Sequence, residues 1–309
     1  VPRTSPGRRR QVPDMTFSRR GRRSRVWARL CRRPVFWAAS AVIVLLVVVA
    51  LAPGLFTERD PSYCDLALSR RGPGDGAYFG YNLQGCDLYA RTVYGARASV
   101  VVGICATAAV VVIGGLVGTS AGYFGGWTDA VLSRVTDVFF GVPLLLGALV
   151  VLVAFPSDGS TPGWQTTGKV VLTLAALGWT TVARLARSAA IQVKRADYVT
   201  VARAAGGGHG LVLRRHVLPS VVTPVLAWAT MAVGGFIAVE ATLSFIGIGL
   251  QPPVISWGTE ISEAQPYIRQ SPHMLLFPST FLSVTVLAFV VLGDAVRDAL
   301  DPRPGDVAC

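Results

Sequence analysis

Six long apolar stretches, at about residues 34–56, 97–122, 130–155, 169–192, 219–250 and 275–295, constrain this chain more than any other feature. Each is close to the roughly twenty residues that a helix needs to cross a bilayer. The expected fold is therefore all-α, a polytopic membrane protein with six transmembrane helices. Of 309 residues 52% are hydrophobic and 15% charged, where soluble domains carry about 25% charged residues. The 27 arginines against 2 lysines read as the codon bias of a GC-rich genome, and Val1 reads as a non-ATG start written literally. Ala50-Leu51-Ala52 resembles a signal-peptide cleavage site, but the apolar region before it is too long and Pro53 would follow the cut, so the first stretch is read as an uncleaved helix.

Charge orients the spans. Residues 1–33 hold twelve Arg and one Asp, a net of +11. A nucleic-acid-binding arm has the same composition. The apolar span that follows favours a disordered cytoplasmic anchor instead, with no nucleic acid bound, because arginines before a span hold that end inside. The segment 184–218 carries seven basic residues and one Asp, and six crossings place it on the same side as the N-terminus. The loops near 156–168 and 250–274 are each net −1 and fall outside. The expected layout is a basic tail at 1–33, a first helix at 34–56, an extracytoplasmic loop at 57–96, a core at 97–295 with a cytoplasmic loop at 193–219, and a tail at 296–309. Both termini are expected in the cytoplasm of a bacterium, with the chain in its plasma membrane.

The cytoplasmic loop has a shape of its own. Asp197 is a plausible N-cap for a short helix with Val199, Ala202 and Ala205 near one face. Gly206, Gly207 and Gly208 then break it, since three glycines cost too much backbone entropy to stay helical. A second short helix is expected from His209 to Leu218, with a new one starting at Pro219. Such a helix–glycine–helix elbow is a part that another protein can grip.

This stretch resembles the cytoplasmic EAA loop of permeases in binding-protein-dependent ABC importers. The family's Glu-Ala-Ala, glycine and Leu-Pro fall on Thr200, Val201 and Ala202, on Gly206, and on Leu218-Pro219, with Asp197-Tyr198-Val199 and Arg203-Ala204 matching alongside. Thr200 replaces the family glutamate. Further resemblance lies in Gly85-Cys86-Asp87-Leu88 through Tyr94-Gly95-Ala96-Arg97, and in Ala121-Gly122-Tyr123-Phe124-Gly125-Gly126-Trp127. It continues in the run Glu240 to Gly249, in Gln251-Pro252-Pro253 with Ser256-Trp257-Gly258, and in Gly293-Asp294 through Asp301-Pro302-Arg303. The group resembled is that of dipeptide, oligopeptide and nickel permeases, C-type.

The resemblance implies a type I ABC importer transmembrane domain that catalyses nothing itself. It implies a second homologous permease, two ATPase subunits or domains holding ATP and Mg²⁺, an extracytoplasmic substrate-binding protein, surrounding lipids, and no cofactor on this chain. Asp197, Tyr198, Thr200, Ala202, Arg203, Gly206, Leu218 and Pro219 would form the ATPase coupling segment, with Tyr198, Ala202, Arg203 and Gly206 facing the ATPase. Dipeptides or short oligopeptides are the implied cargo. A gradient-driven transporter or channel is the alternative, but such proteins usually carry more ionisable groups along their spans. An intramembrane enzyme lacks support: His209, His216 and His273 are scattered.

Four other features carry readings of their own. Glu240 is the clearest acid at membrane depth, either lining the pathway as a gate or making a polar contact with Thr242, Ser244 or another subunit. Cys64 and Cys86 lie in the outer loop and are either a disulfide or two free thiols. Gly114, Gly118, Gly122 and Gly126 recur every four residues, a face for close helix packing. The run Gly163 to Lys169 fits seven positions of a phosphate loop, but Val170 has no hydroxyl for Mg²⁺ and no soluble strand precedes it, so nucleotide binding here is rejected.

Overall fold

The computed structural model describes residues 30–31, 33–74, 76–157 and 161–300. The basic tail up to residue 29, together with Asp301-Pro302-Arg303 and Cys309, lies outside the described residues. Helix α1 (Pro34–Leu51) opens on a proline, whose missing N–H costs nothing in a first turn. Helix α2 (Leu88–Phe124) begins nine residues before the apolar stretch at 97, because the Asp87 side chain accepts the Ala90 N–H at 2.9 Å and caps it. Residues 88–96, placed with the outer loop by the sequence, are thus the first turns of the span itself.

The third span is not one straight helix. Helix α3 (Gly126–Phe140) and helix α4 (Leu144–Ala154) meet at an 81° bend across Gly141-Val142-Pro143. Pro143 has no N–H to continue the ladder. Helix α5 (Gly163–Lys194) follows, so the rejected phosphate-loop run is its first two turns. Lys169 there reaches Pro156 O and Ser157 Oγ at 3.1 and 3.2 Å.

Helix α6 (Asp197–Ala204) and helix α7 (His209–Val212) form the elbow. A turn of π-helix over Leu213–Val217 joins α7 to helix α8 (Leu218–Phe245). Helix α9 (Trp257–Ala264) is short, and helix α10 (His273–Leu300) is last. Among the described residues five helices are long and apolar enough to cross a membrane, and a sixth crossing results if the bent pair α3–α4 is one span. Extended pairing there is limited to isolated bridges in the loop after α1.

The core is the seam of α2 and α5. A Cβ on Gly114 or Gly122 would lie 2.5 or 2.6 Å from the carbonyl oxygens of Trp179 and Arg187, and one on Gly118 would overlap Ala183. These three glycines therefore let two backbones touch, the packing that replaces a hydrophobic drive inside lipid. Gly126 does not share that face: it sits beyond the end of α2 at φ +56, with nothing near its Cβ position. Val102, Val110, Leu174, Val182 and Phe236 fill the space between α2, α5 and α8. At the end of the bundle away from the elbow, Val93, Ile237, Trp257 and Phe289 form a second cluster that α1 joins through Leu46 and Val49.

Candidate functional site

The elbow is seated by apolar side chains and hung from α2 by one aromatic residue. Val199, Val212 and Val217 are fully buried in the main core. The hydroxyl of Tyr123, near the end of α2, donates to His209 O at 3.1 Å and lies 3.2 Å from His209 Nδ1. The Arg203 guanidinium stands 5.5 Å from the Tyr123 ring centroid, and Tyr198 and His216 bring their rings to 5.7 Å across the two arms. The turn between the arms closes with Gly206 N–H to Arg203 O and Gly207 N–H to Ala202 O, both 3.0 Å. Gly206 has φ +86, a conformation that side chains with a Cβ rarely adopt.

Three sequence expectations change here. The N-cap of α6 is Ala196, not Asp197; Asp197 is exposed and makes no capping bond, because the helix starts one residue earlier than its side chain suggested. The second arm is not a separate helix ending at Leu218: it runs through the π-turn into α8, so residues 209–245 form one continuous rod. Pro219 lies inside this continuous helix and has no N–H to give to its ladder, and the π-turn falls directly before it. Arg203 and Ala202 are half-buried rather than outward, Arg203 because it packs on Tyr123.

What the elbow presents outward is Asp197, Tyr198, Thr200, Gly206, Leu218 and Pro219 together with two apolar side chains the sequence reading passed over. These are Val201, 67% exposed, and Leu211, 54% exposed. Their signal was available: an apolar residue on the polar face of a short amphipathic helix. Gly210, Leu211, Arg214, Arg215 and Pro219 line an open recess of about 630 Å³ beside them.

At the opposite end a loop cap is bonded to the bundle. Cys64 and Cys86 are joined by a disulfide, and Cys86 is fully buried. Asp87, next in the chain, accepts from Arg59 Nη1 at 2.6 Å through its second oxygen. Arg91 donates from Nε and Nη2 to Glu260 Oε1 at 2.7 and 2.6 Å, with the Glu260 side chain 1% exposed. Burial pushes the neighbouring Glu263 carboxyl above its ordinary value, Glu260 adds to that, and Arg91 opposes it. The Trp257 indole donates to Thr92 O at 2.9 Å, and Phe79 stacks on Phe277 at 3.9 Å. The segment Ser256-Trp257-Gly258, read as a loop, is the capped start of α9: Ser256 Oγ and Thr259 exchange bonds with each other's backbone.

Glu240 does not open onto a path through this chain. It is fully buried, with Oε1 accepting from Ser244 Oγ at 2.8 Å, and Ser99 and Ser256 are its other hydroxyl neighbours. Ser244 in turn accepts the Leu250 N–H at 2.9 Å. The neighbours of Glu240 make a polar contact between α2, α8 and the start of α9. Thr242 takes no part, since its hydroxyl bonds back to Ala238 O.

The two acids of α3 pair across the bundle with arginines of α5. Arg187 Nε and Nη2 reach the two Asp129 oxygens at 2.6 and 2.7 Å, and Arg184 Nη2 reaches Asp137 Oδ1 at 2.9 Å.

Known proteins resemble this chain. The family described as "Binding-protein-dependent transport system inner membrane component" matches residues 111–305. The glutathione transport system permease protein GsiD of Pectobacterium atrosepticum is 35% identical over 278 residues, 90% of each chain. The oligopeptide transport system permease protein OppC of Bacillus subtilis is 32% identical over 262 residues, 85% of this chain and 83% of that one. A crystal structure of an amino acid ABC transporter with histidines has the same fold at a TM-score of 0.50 and 18% identity, covering 66% of this chain and 91% of its own. The apolar helices, the bent third span and a family match that runs from the middle of α2 past the end of α10 lead to one assignment: the chain belongs to the family of inner membrane components of binding-protein-dependent transport systems.

Proposed function

We propose that this permease forms half of the translocation path of an ATP-driven importer of dipeptides or short oligopeptides. The observation that carries the reading is the elbow: a two-armed projection, seated by buried valines, whose second arm is continuous with a transmembrane helix. A force applied at Leu211 therefore acts on α8 along one helix, and one applied at Val201 reaches it through Val199, packed in the same core as Val212 and Val217. Separate ATPase subunits, with ATP and Mg²⁺, would grip this surface, a second related permease would complete the path, and an external binding protein would deliver cargo at the disulfide-bonded end. Peptide cargo is supported by the two relatives, one named for oligopeptides and one for glutathione, itself a tripeptide. In this reading the elbow faces the cytoplasm, as do both termini, and Asp197, Tyr198, Thr200, Leu218 and Pro219 border the gripped surface while Ala202 and Arg203 hold the turn from behind.

The test is reconstitution. The chain, purified under gentle conditions, is expected to bring an ATPase and a second permease with it. Proteoliposomes of that complex, given the binding protein, are expected to accumulate labelled dipeptide or tripeptide only when ATP is hydrolysed. Uptake driven by an ion gradient without nucleotide would replace this reading with a secondary transporter.

A further inference from the structure

Arg184 and Asp137 sit where a lipid-facing surface has no place for them. Helix α5 has 32 residues, so it is about 48 Å long and overhangs a hydrocarbon layer of about 30 Å by roughly 9 Å at each end. On a helix centred in that layer, Arg184, ten residues or about 15 Å from the elbow end of α5, lies inside it. Its guanidinium stands over the Phe140 ring, 3.6 Å from the centroid, and bonds Asp137. Yet the two side chains are 45% and 53% exposed. A charged pair at that depth faces water or protein, because hydrocarbon cannot solvate it.

The backbone beside the pair points to the same conclusion independently. Gly141, Val142 and Pro143, the non-helical joint of the 81° bend, are all exposed on this chain. Irregular backbone within a bilayer is tolerated only inside protein or against a water-filled cavity. The pair and the joint are contiguous through Phe140. Both therefore face water or protein rather than lipid.

We propose that this surface is a substrate station for zwitterionic peptides, with Arg184 receiving the terminal carboxylate and Asp137 the terminal ammonium. The assignment rests on the peptide reading above and adds the residues that meet the cargo. Both signs are present at one point, so a molecule carrying both can replace the internal ion pair with no change in net charge. A half-exposed pair is held weakly, so the exchange is easy to reverse, as transport requires. The exposed Phe140 ring beside it offers a face to an ammonium or an apolar side chain. The Arg187–Asp129 pair lies one turn nearer the elbow and repeats the same two charges along the route.

The experiment places a cysteine at Val142, in a chain whose Cys31, Cys105 and Cys309 are serine, and uses the assembled complex in proteoliposomes. A charged, water-soluble thiol reagent is expected to label it, and trialanine is expected to block that labelling. In Arg184→Gln and in Asp137→Asn the trialanine concentration giving half protection is expected to rise about tenfold, the loss of one charge-assisted bond. Labelling only by a lipid-soluble reagent, or by neither reagent, would overturn the placement. Labelling that trialanine leaves untouched, in a complex that does accumulate trialanine, would overturn the station, as would equal half-protecting concentrations in native and variant complexes. A native complex that accumulates no peptide at all would instead remove the peptide reading, and with it this one, while the labelling pattern would still report whether the surface meets water.

Discussion

Glu240 is a carboxyl with no exposure, one bonded oxygen, and a second oxygen, Oε2, with no partner in the structure; Ser99 Oγ nearby has none either. A glutamine keeps the oxygen that Ser244 needs and adds an amide that the free oxygens can accept. We expect Glu240→Gln to change stability by less than about 1 kcal/mol and to leave peptide uptake intact, measured at matched expression. Lost uptake with normal stability would restore the gate. Glu263 behaves differently. Its carboxyl binds a proton more tightly in the folded protein than its ordinary value of 4.5 implies, chiefly through burial. The fold therefore loses stability as pH rises from that value through the raised one, and bears the full cost of an ionised, partly buried carboxylate above it. Glu263→Gln should raise the melting temperature at neutral pH, and the gain should shrink toward zero below about pH 4.5. At this scale the sequence was only partly legible. The depth of Glu240 could be read, because an acid interrupts an apolar run. Its neighbours could not: Ser99 and Ser256 come from distant segments, and so do Glu260 and Arg91.

Among the elements, the α2–α5 seam tests the packing argument most simply. Gly118 faces the α5 backbone at Ala183, whereas a Cβ on Gly115 would meet nothing within 4 Å. Gly118→Val should destabilise the complex by about 1–3 kcal/mol or more through overpacking, and Gly115→Ala should be silent, read by thermal aggregation of the purified complex. The outer loop is the second case. The Cys64–Cys86 bond spans 22 residues, so Cys64→Ser should cost the loop roughly 3 kcal/mol of order. Faster proteolysis between α1 and α2 would register it; equal proteolysis with and without the bond would show that Arg59–Asp87 and Phe79–Phe277 suffice. Helix existence was readable in the sequence because apolar run length decides it. Boundaries were not. The start of α2 is set by the Asp87 cap, and the bend in the third span by Gly141 and Pro143 within a run whose hydrophobicity is continuous.

For the whole molecule, the fold joins two ends. At one, the loop cap, α9 and α10 are tied by a disulfide, a buried ion pair and stacked rings. At the other, the elbow is pinned to α2 through Tyr123 and runs unbroken into α8. The seam of α2, α5 and α8 connects them, and the charged surface at α3 lies between. Family membership was legible from short motifs because they sit at turns and caps, where backbone geometry dictates the residue. The outward-facing valine and leucine of the elbow left a signal, an apolar residue on the polar face of a short helix, that a motif read as a string passes over.

The most direct test of the central claim is ATP-driven uptake of labelled trialanine by proteoliposomes containing the complex with Gly206→Pro. Proline cannot adopt the φ of +86 found there, so the turn must rearrange while the buried spans are left alone. The account predicts normal insertion and assembly with uptake abolished or uncoupled from hydrolysis. Uptake at the native rate, with native coupling, would contradict it.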